Sequence, residues 1–330
     1  MRKFIYLGLV LVLVIALAGG VLIGCEEEAV DEEPADEMQF LTLATGSPGG
    51  VYYPLGAGLA KEVSDHIDGY MCQSESTGAS VENIRLVGGG ESDMAMVMGN
   101  VAFDAIQGVN DFEGDAQPIN ALFNLYPGAQ KFFVDADSDI YSLDDFVGHE
   151  ISVDAAGSGS EVMARAILEF AGIMDDIDAV NLSMAETSEA LRDGLIDGGT
   201  VNLAYPAAHF EELHAMMDIR YVDLDEDFMD AAIEEYPYFF KGVVPKEAHE
   251  EHMDEDHHTL FVGNEVIVHE DFDEDLAYEI TKHMFQDETI ERLIGIHAQA
   301  ENMDIQNAPE TAAPLHPGAE RFFQEEGLID

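Results

Sequence analysis

Short apolar runs that alternate with helical patterns constrain the fold of this chain most strongly. In the first example, the apolar segment 40–44 leads through a glycine-rich turn into a segment where Leu55, Leu59 and Val63 recur at helical spacing. The same order recurs along the chain, and such alternation is typical of layered α/β folds. With 330 residues, the chain exceeds the length at which one hydrophobic core usually keeps growing. We therefore expect two α/β lobes.

Three of the turns between a strand and a helix carry hydroxyl or amide groups. The candidate binding residues are Thr45, Gly46, Gly49, Tyr52 and Tyr53 in the first turn, Ser76, Thr77, Ala79, Ser80 and Asn83 in the second, and Ser158, Gly159 and Ser160 in the third. The first N–H groups of a helix have no partner within the helix and attract anions. We therefore predict an anion-binding crevice where the strands end, with Ser80 as a helix N-cap. Helix capping alone is the alternative for any single Ser or Thr.

Four short motifs follow one another in an order that resembles a known family. They are Gly49-Gly-Val-Tyr-Tyr-Pro-Leu-Gly56, Glu75-Ser-Thr-Gly-Ala-Ser-Val-Glu-Asn83, Ala156-Gly-Ser-Gly-Ser-Glu161, and Pro314-Leu-His-Pro-Gly-Ala319 with Phe322-Phe-Gln-Glu-Glu-Gly-Leu328. Together they resemble the TAXI family, the extracytoplasmic substrate-binding subunits of tripartite ATP-independent periplasmic (TRAP) transporters. The family's usual Thr-Gly-Gly-Ser reads Thr77-Gly-Ala-Ser80 here, and its Gly-Ser-Gly-Thr reads Gly157-Ser-Gly-Ser160. Asn100 stands where an aspartate is common.

The resemblance implies a periplasmic-binding-protein-like fold of type II, with a ligand cleft between two α/β lobes. Lobe I is expected to hold residues 39–133 and 241–330, and lobe II residues 134–240. The three turns would line the cleft together with Asn100 and Asn202. The implied ligand is a small carboxylate or amino acid, such as glutamate, glutamine, or a 2-oxo or dicarboxylic acid. The implied partners are the membrane subunits of a TRAP permease.

The N-terminus has the pattern of an export signal. Arg2-Lys3 precedes an apolar run over residues 4–21, and Leu22-Ile-Gly-Cys25 matches the lipobox of lipoproteins. We predict a signal peptide over 1–24, lipidation of Cys25 and an extracytoplasmic, membrane-anchored protein. An uncleaved membrane anchor is the alternative. Eight acidic residues and no basic residue between 26 and 37 predict a disordered tether over 25–38.

The net charge of the chain limits which partners it can bind. The chain has 68 acidic and 13 basic residues, a formal net charge of −55. Such a charge makes a nucleic-acid partner implausible. Because apolar periodicity persists along the chain, we interpret the acidic surface as that of a halophilic protein, in which salt screens the repulsion.

The sequence offers little for catalysis or metal binding. It contains no phosphate loop, no strand-led Gly-x-Gly-x-x-Gly and no Gly-x-Ser-x-Gly elbow, so we predict a binding protein without a cofactor. His249, His252, His257 and His258 lie among acids and favour an exposed loop over a metal site. A secreted esterase-like hydrolase and a structural surface lipoprotein are the alternative functions.

Overall fold

The computed structural model describes residues 38–330 apart from Gly49, Pro206, Ala207, 250–252 and Asp254. The predicted signal peptide, Cys25 and all but the last residue of the predicted tether lie outside these residues. Within the described part of the chain, no helix combines the length and the apolar character needed to cross a membrane.

Strands and helices alternate as the sequence pattern predicts. The described residues form ten strands: β1 (Gln39–Ala44), β2 (Tyr70–Glu75), β3 (Met94–Met98), β4 (Ile119–Asp135), β5 (Glu150–Ser152), β6 (Asp178–Val180), β7 (Gly198–Leu203), β8 (Ile219–Val222), β9 (Phe240–Val244) and β10 (His257–His269). The α-helices of the described residues are α1 (Tyr52–His66), α2 (Ser80–Gly88), α3 (Gly99–Gln107), α4 (Gly159–Phe170), α5 (Met184–Arg192), α6 (Ala208–Met216), α7 (Glu226–Glu235), α8 (Glu274–Met284), α9 (Asp287–Ile294) and α10 (Pro317–Glu325).

Two long antiparallel strands, β4 and β10, connect the two parts of one mixed sheet. The strand order is β2-β1-β3-β10-β4-β7-β5-β6, with β8 paired to β4 and β9 paired to β10. Strands β1, β2 and β3 are parallel to one another, and so are β5, β6 and β7. The later half of β10 pairs with β3, whereas its first half pairs with β9. Each long strand therefore serves both parts of the sheet.

The structure differs from the sequence prediction along β4. The sequence suggests separate strands over 119–125 and 131–134, but β4 runs unbroken through Pro127 and Gly128. Pro127 lies opposite Gly263, next to a register shift at Asn264/Glu265. A proline cannot donate a ladder hydrogen bond, and such irregularities are where a sheet tolerates it. The predicted boundary between residues 133 and 134 falls inside this strand.

Helices cover both faces of the sheet. On one face, α1, α8, α9 and α10 pack around a core that includes Leu43, Leu55 and Phe323. On the other face, one continuous core joins Val101 of α3, beside the β1–β3 part, to Met163 of α4, beside the β5–β7 part. The two parts of the sheet thus share apolar contacts across the crossing strands, which brings the turns before α2, α3 and α4 close together.

Candidate functional site

The first two predicted turns lie side by side because β1 and β2 are adjacent parallel strands. The buried Thr45 donates its hydroxyl hydrogen bond to the Glu75 carbonyl at 2.6 Å. Ser76 donates from Oγ to the Gly46 carbonyl at 2.9 Å. These bonds fix the two turns to each other at the carboxyl edge of the strands.

Asn83 and Thr77 hold this pair of turns in place. The Asn83 side chain is fully buried, and its Nδ2 donates to the carbonyls of Thr45 at 2.6 Å and Met96 at 2.7 Å. Its Oδ1 accepts from Thr77 Oγ1 at 2.6 Å. Because the protein itself satisfies these groups, both residues position the turns.

Helix α2 begins differently from the sequence prediction. Ser80 is its first helical residue, and Ala79 is the N-cap, so the predicted N-cap is wrong by one position. Instead of capping α2, the buried Ser80 Oγ accepts a hydrogen bond from the Met98 N–H at 3.1 Å. This bond ties the start of α2 to the end of β3, where α3 begins. Ala79 has φ 72° and ψ −146°, a backbone conformation that glycine adopts without strain.

The third turn reaches the first two from the other part of the sheet. Ser158 caps α4 by accepting the Glu161 N–H at 3.1 Å. The Gly157 carbonyl accepts from the Val81 N–H at 3.3 Å, and Asn100 Nδ2 donates to the Gly159 carbonyl at 3.2 Å. The N-termini of α2, α3 and α4 therefore meet at one place.

The close approach of α4 explains a glycine in the third turn. A Cβ at Gly159 would lie 2.6 Å from Met98 Sδ and 2.7 Å from Met98 Cβ, well inside van der Waals contact. Any larger residue would push α4 away from the end of β3. Gly159 is thus required by the packing between the two parts of the sheet.

One buried acceptor lies unpaired where these helices start. Asn100 is 1% exposed, and its Oδ1 has no hydrogen-bond partner among the described residues. Leaving a buried acceptor unsatisfied costs about 1–3 kcal/mol. A donor placed at this atom, from a ligand or from water, would recover that cost.

A second set of polar groups lies next to the crossing strands. Ser160 Oγ accepts from the Asn202 N–H at 2.8 Å, and Asn202 Nδ2 donates to the Gly128 carbonyl at 3.0 Å. A Cβ at Gly128 would lie 1.9 Å from Asn202 Oδ1, so β4 needs glycine here. Tyr52 OH donates to Asn264 Oδ1 at 2.6 Å, and burial raises the pKa of Tyr52 well above its ordinary value. Tyr52 is therefore a neutral donor that links α1 to β10.

Sequence reasoning missed a buried acid beside the third turn. Asp154 follows β5, has φ 76° and accepts the Ala155 N–H at 2.8 Å. Burial raises the pKa of Asp154 to about 6, although hydrogen bonds from Ala155 and Ser160 oppose this shift. The signal in the sequence is an acid that lies between the end of a strand and the Gly-Ser-Gly turn. This carboxyl group makes the start of α4 an acceptor-rich place.

Two predicted residues are placed less centrally, and the two arginines nearest the turns contact other groups of the protein. Tyr53 is 41% exposed, and Gly49 lies outside the described residues. Arg85 donates to the Asp111 carbonyl at 2.8 Å, and Arg165 pairs with Glu161. Both arginines near the motifs are therefore engaged with other parts of the protein.

Two cavities flank the place where the helices meet. One, of about 290 Å³, lies between the second and third turns and is lined by Gly78, Val81, Glu82, Arg85, Leu86, Glu91, Ala156 and Gly157. The other, of about 390 Å³, adjoins both crossing strands and includes Asn124, Tyr238, Gly263 and Glu265. Burial raises the pKa of Glu265 to about 7, against hydrogen bonds from the Ala312 and Ala313 amides. The first cavity is lined from both parts of the sheet, whereas the second is lined by the start of α3, both crossing strands, the segment 237–240 and residues 307–312.

The sequence of the chain matches the model of one known protein family. A family model described as the NMT1-like family matches residues 43–327, which is most of the chain. The chain belongs to the NMT1-like family. The matched region includes all three turns and both crossing strands.

Solved structures share the fold of this NMT1-like protein. A putative L-cystine ABC transporter protein from Listeria monocytogenes is 14% identical, covers 81% of this chain and 98% of its own, and has a TM-score of 0.51. A Xanthomonas citri protein bound to chloride is 15% identical over 88% of this chain and 97% of its own, with a TM-score of 0.52. The alkanesulfonate-binding protein SsuA from Xanthomonas axonopodis pv. citri, bound to MOPS, is 13% identical in sequence. The match covers 89% of this chain and 95% of SsuA, with a TM-score of 0.50.

These similarities, together with the sheet topology, confirm the expected fold class. The protein has the α/β fold of periplasmic binding proteins, in which two lobes flank a ligand cleft. The TAXI assignment, the site residues and the lobe boundaries stay predictions.

Proposed function

We propose that this protein is an extracytoplasmic solute receptor of the TAXI type, which captures a small amino acid or organic anion and delivers it to a TRAP permease. The observation that carries the proposal is the meeting of three helix N-termini, from α2, α3 and α4, at the carboxyl ends of strands from both parts of the sheet. Such helix starts present N–H groups and positive partial charge to an anion. The ligand is bound by these N–H groups, with Ser76, Ser158 and Ser160 nearby.

Within this class, the polar groups favour an α-amino acid. The helix starts suit its carboxylate. Asn100 Oδ1, which has no hydrogen-bond partner in the described part of the chain, and the Asp154 carboxyl group are acceptors that suit its ammonium group. A dicarboxylic acid would place a second negative charge near Asp154 and Glu161. Because like charges repel in a site of low dielectric, the amino acid is the better match.

The serines of the third turn support binding over hydrolysis. Ser158 Oγ accepts the Glu161 N–H, and Ser160 Oγ accepts the Asn202 N–H. A nucleophilic serine is commonly activated by an adjacent histidine; Ser158 Oγ is instead the N-cap of α4, and Ser160 Oγ is held between the Asn202 N–H and the Asp154 carboxyl group. A structural lipoprotein would gain nothing from an unpaired buried acceptor.

Mass spectrometry of compounds released from the denatured protein would identify the bound solute, and calorimetry would then test the site. We expect Asn100→Ala to weaken binding of that solute about tenfold or more, because a hydrogen bond to a charged group contributes roughly 1.5–3 kcal/mol. Asn302→Ala, at a half-buried amide outside the cleft, is the matched control. Equal affinities for both variants would place the ligand elsewhere.

The location and the anchor belong to the same proposal. The lipobox before Cys25 supports lipidation of this residue, and the binding-protein fold is compatible with a place outside the cytoplasm. Cys25→Ala should shift the protein from the membrane fraction to the soluble fraction in its native host. Unchanged membrane association would favour the uncleaved anchor instead.

A further inference from the structure

Two histidines and a glutamate converge on the face of the sheet that is covered by α1, α8, α9 and α10. Glu62 and His66 lie four residues apart on α1, and His283 comes from the last turn of α8. Glu62 Oε2 is 3.0 Å from His283 Nε2 and 3.4 Å from His66 Nε2. Glu62 and His283 are buried, while the His66 side chain is 40% exposed.

These separations match those expected around a tetrahedral metal ion. With metal–ligand distances of about 2.0–2.1 Å, the ligand atoms of a tetrahedral site lie roughly 3.3 Å apart. The two Glu62–histidine distances fall close to this value, and all three ligand atoms lie within 4.8 Å of one another. Closing the remaining gap between the two imidazoles needs a small movement of the half-exposed His66.

Arg292 is the charged group that faces this cluster most directly. Its Nε lies 2.8 Å from Glu62 Oε1, and its Nη2 lies 2.8 Å from Glu62 Oε2. These hydrogen bonds hold the pKa of Glu62 at about 2, so the carboxylate is ionised at neutral pH. The arginine side chain is 43% exposed and can release Oε2 while Nε keeps its bond to Oε1. A hydrogen-bonded outer oxygen is common in carboxylates that bind metals.

Other nearby groups set the charge balance. Asp65 and Glu288 both interact with Arg292, and Thr289 Oγ1 lies 3.3 Å from His283 Nε2. The two acids offset the positive charge of Arg292, and the net charge of −55 on the whole chain raises the local concentration of cations.

We propose that Glu62 Oε2, His66 Nε2 and His283 Nε2 form a binding site for a divalent transition-metal ion such as Zn²⁺, with water as the fourth ligand. Two imidazole nitrogens favour such ions over Ca²⁺ and Mg²⁺, which prefer oxygen. The exposed side of His66 gives the ion a path from solvent. The bound ion joins the end of α1 to the end of α8.

This metal site is separate from the proposed solute site. Tyr52, at the start of α1, precedes Glu62 by ten residues, which is about 15 Å along a helix axis. Failure of one proposal therefore leaves the other untouched.

Titration of chelator-treated, tag-free protein with Co²⁺ in molar salt tests the proposal. We expect one equivalent of Co²⁺ to bind and to give the visible absorption band that is typical of Co²⁺ with four ligands. Added Zn²⁺ should displace Co²⁺ and remove that band. Zn²⁺ should also raise the melting temperature by about 3 °C or more. His66→Gln, at a half-exposed position that tolerates change, should abolish both effects.

The matched control is His149→Gln, because His149 also pairs with a carboxylate, Asp197, at 3.1 Å. It should bind Co²⁺ like the natural chain. Absence of the band in the natural chain, or equal bands in the natural chain and His66→Gln, would overturn the proposal.

Discussion

At the scale of single residues, Ala79 shows most clearly how this sequence departs from the pattern it resembles. Its φ of 72° suits glycine, and glycine is what the TAXI motif usually has at this position. A non-glycine residue in such a conformation costs on the order of 1–3 kcal/mol. The turn before α2 is kept in shape by the bonds of Thr77 and Asn83 around it.

Ala79→Gly should therefore stabilise the fold. Relief of strain outweighs the entropy that glycine adds to the unfolded chain, and the net gain should be about 0.5–2 kcal/mol. The midpoint of urea unfolding measures it. Ala171→Gly, at a position with φ −68°, should instead destabilise. A loss at both positions would show that Ala79 is not strained.

Asp154 should make stability depend on pH. Burial raises its pKa to about 6, above the value of about 3.9 expected in the unfolded chain. The folded state then binds more protons between these values, so stability falls as pH rises from about 4 through 6. At pH 8 the ionised group costs on the order of 2–3 kcal/mol.

Asp154→Asn should accordingly raise the free energy of unfolding at pH 8 and change it little at pH 4, as measured by chemical unfolding at both values. The exposed Asp175→Asn is the control and should have little effect at either pH. An equal effect of Asp154→Asn at pH 4 and pH 8 would contradict the ionised, buried carboxylate.

At the scale of elements, the N-terminus of helix α4 contributes both to the stability of the fold and to the proposed solute site. Ser158→Ala removes an N-cap, which should cost about 1 kcal/mol, and also removes a hydroxyl from the third turn. Ser183→Ala removes an equivalent cap from α5, away from the turns. Both variants should unfold more easily, but only Ser158→Ala should bind the solute more weakly. If calorimetry gives the same solute affinity for Ser158→Ala and Ser183→Ala, Ser158 is not part of the site.

Most elements followed from local patterns, and the exceptions have physical reasons. The sequence pattern predicts strands over 40–44, 71–75 and 94–98 and helices over 80–87 and 101–106, close to the observed bounds of β1, β2, β3, α2 and α3. Strands β8 and β9 and helix α7 were missed. These short elements lie among acidic residues and have no strong apolar pattern of their own. The two strands are stabilised by pairing, β8 with β4 and β9 with β10.

At the scale of the whole molecule, the charge predicts a need for salt. With 68 acidic and 13 basic residues, most carboxylates have no opposite charge nearby. The melting temperature at pH 7 should rise steeply between low and molar sodium chloride. Because protonation of carboxylates removes negative charge, mild acid near pH 5 should partly replace salt. A melting temperature that is flat with salt would refute the halophilic interpretation.

The crossing strands predict that solute binding closes the two lobes. Contacts such as Val81 N–H to the Gly157 carbonyl, at 3.3 Å, join the turns across the cleft. A ligand that touches both sides favours this arrangement by its differential affinity. Small-angle scattering should give a smaller radius of gyration at saturating solute. An unchanged radius would contradict closure.

The sequence by itself determined the alternation of strands and helices, the glycine-rich turns and the acidic surface, because these depend on local spacing and composition. Only the tertiary structure decided what those residues do. It gave Asn83 and Thr77 a structural role, left Asn100 Oδ1 without a hydrogen-bond partner among the described residues, and placed Asp154 in a buried position. It also brought His283 to Glu62, 221 residues away along the chain. Burial and pairing depend on contacts between distant segments, and no local pattern encodes them.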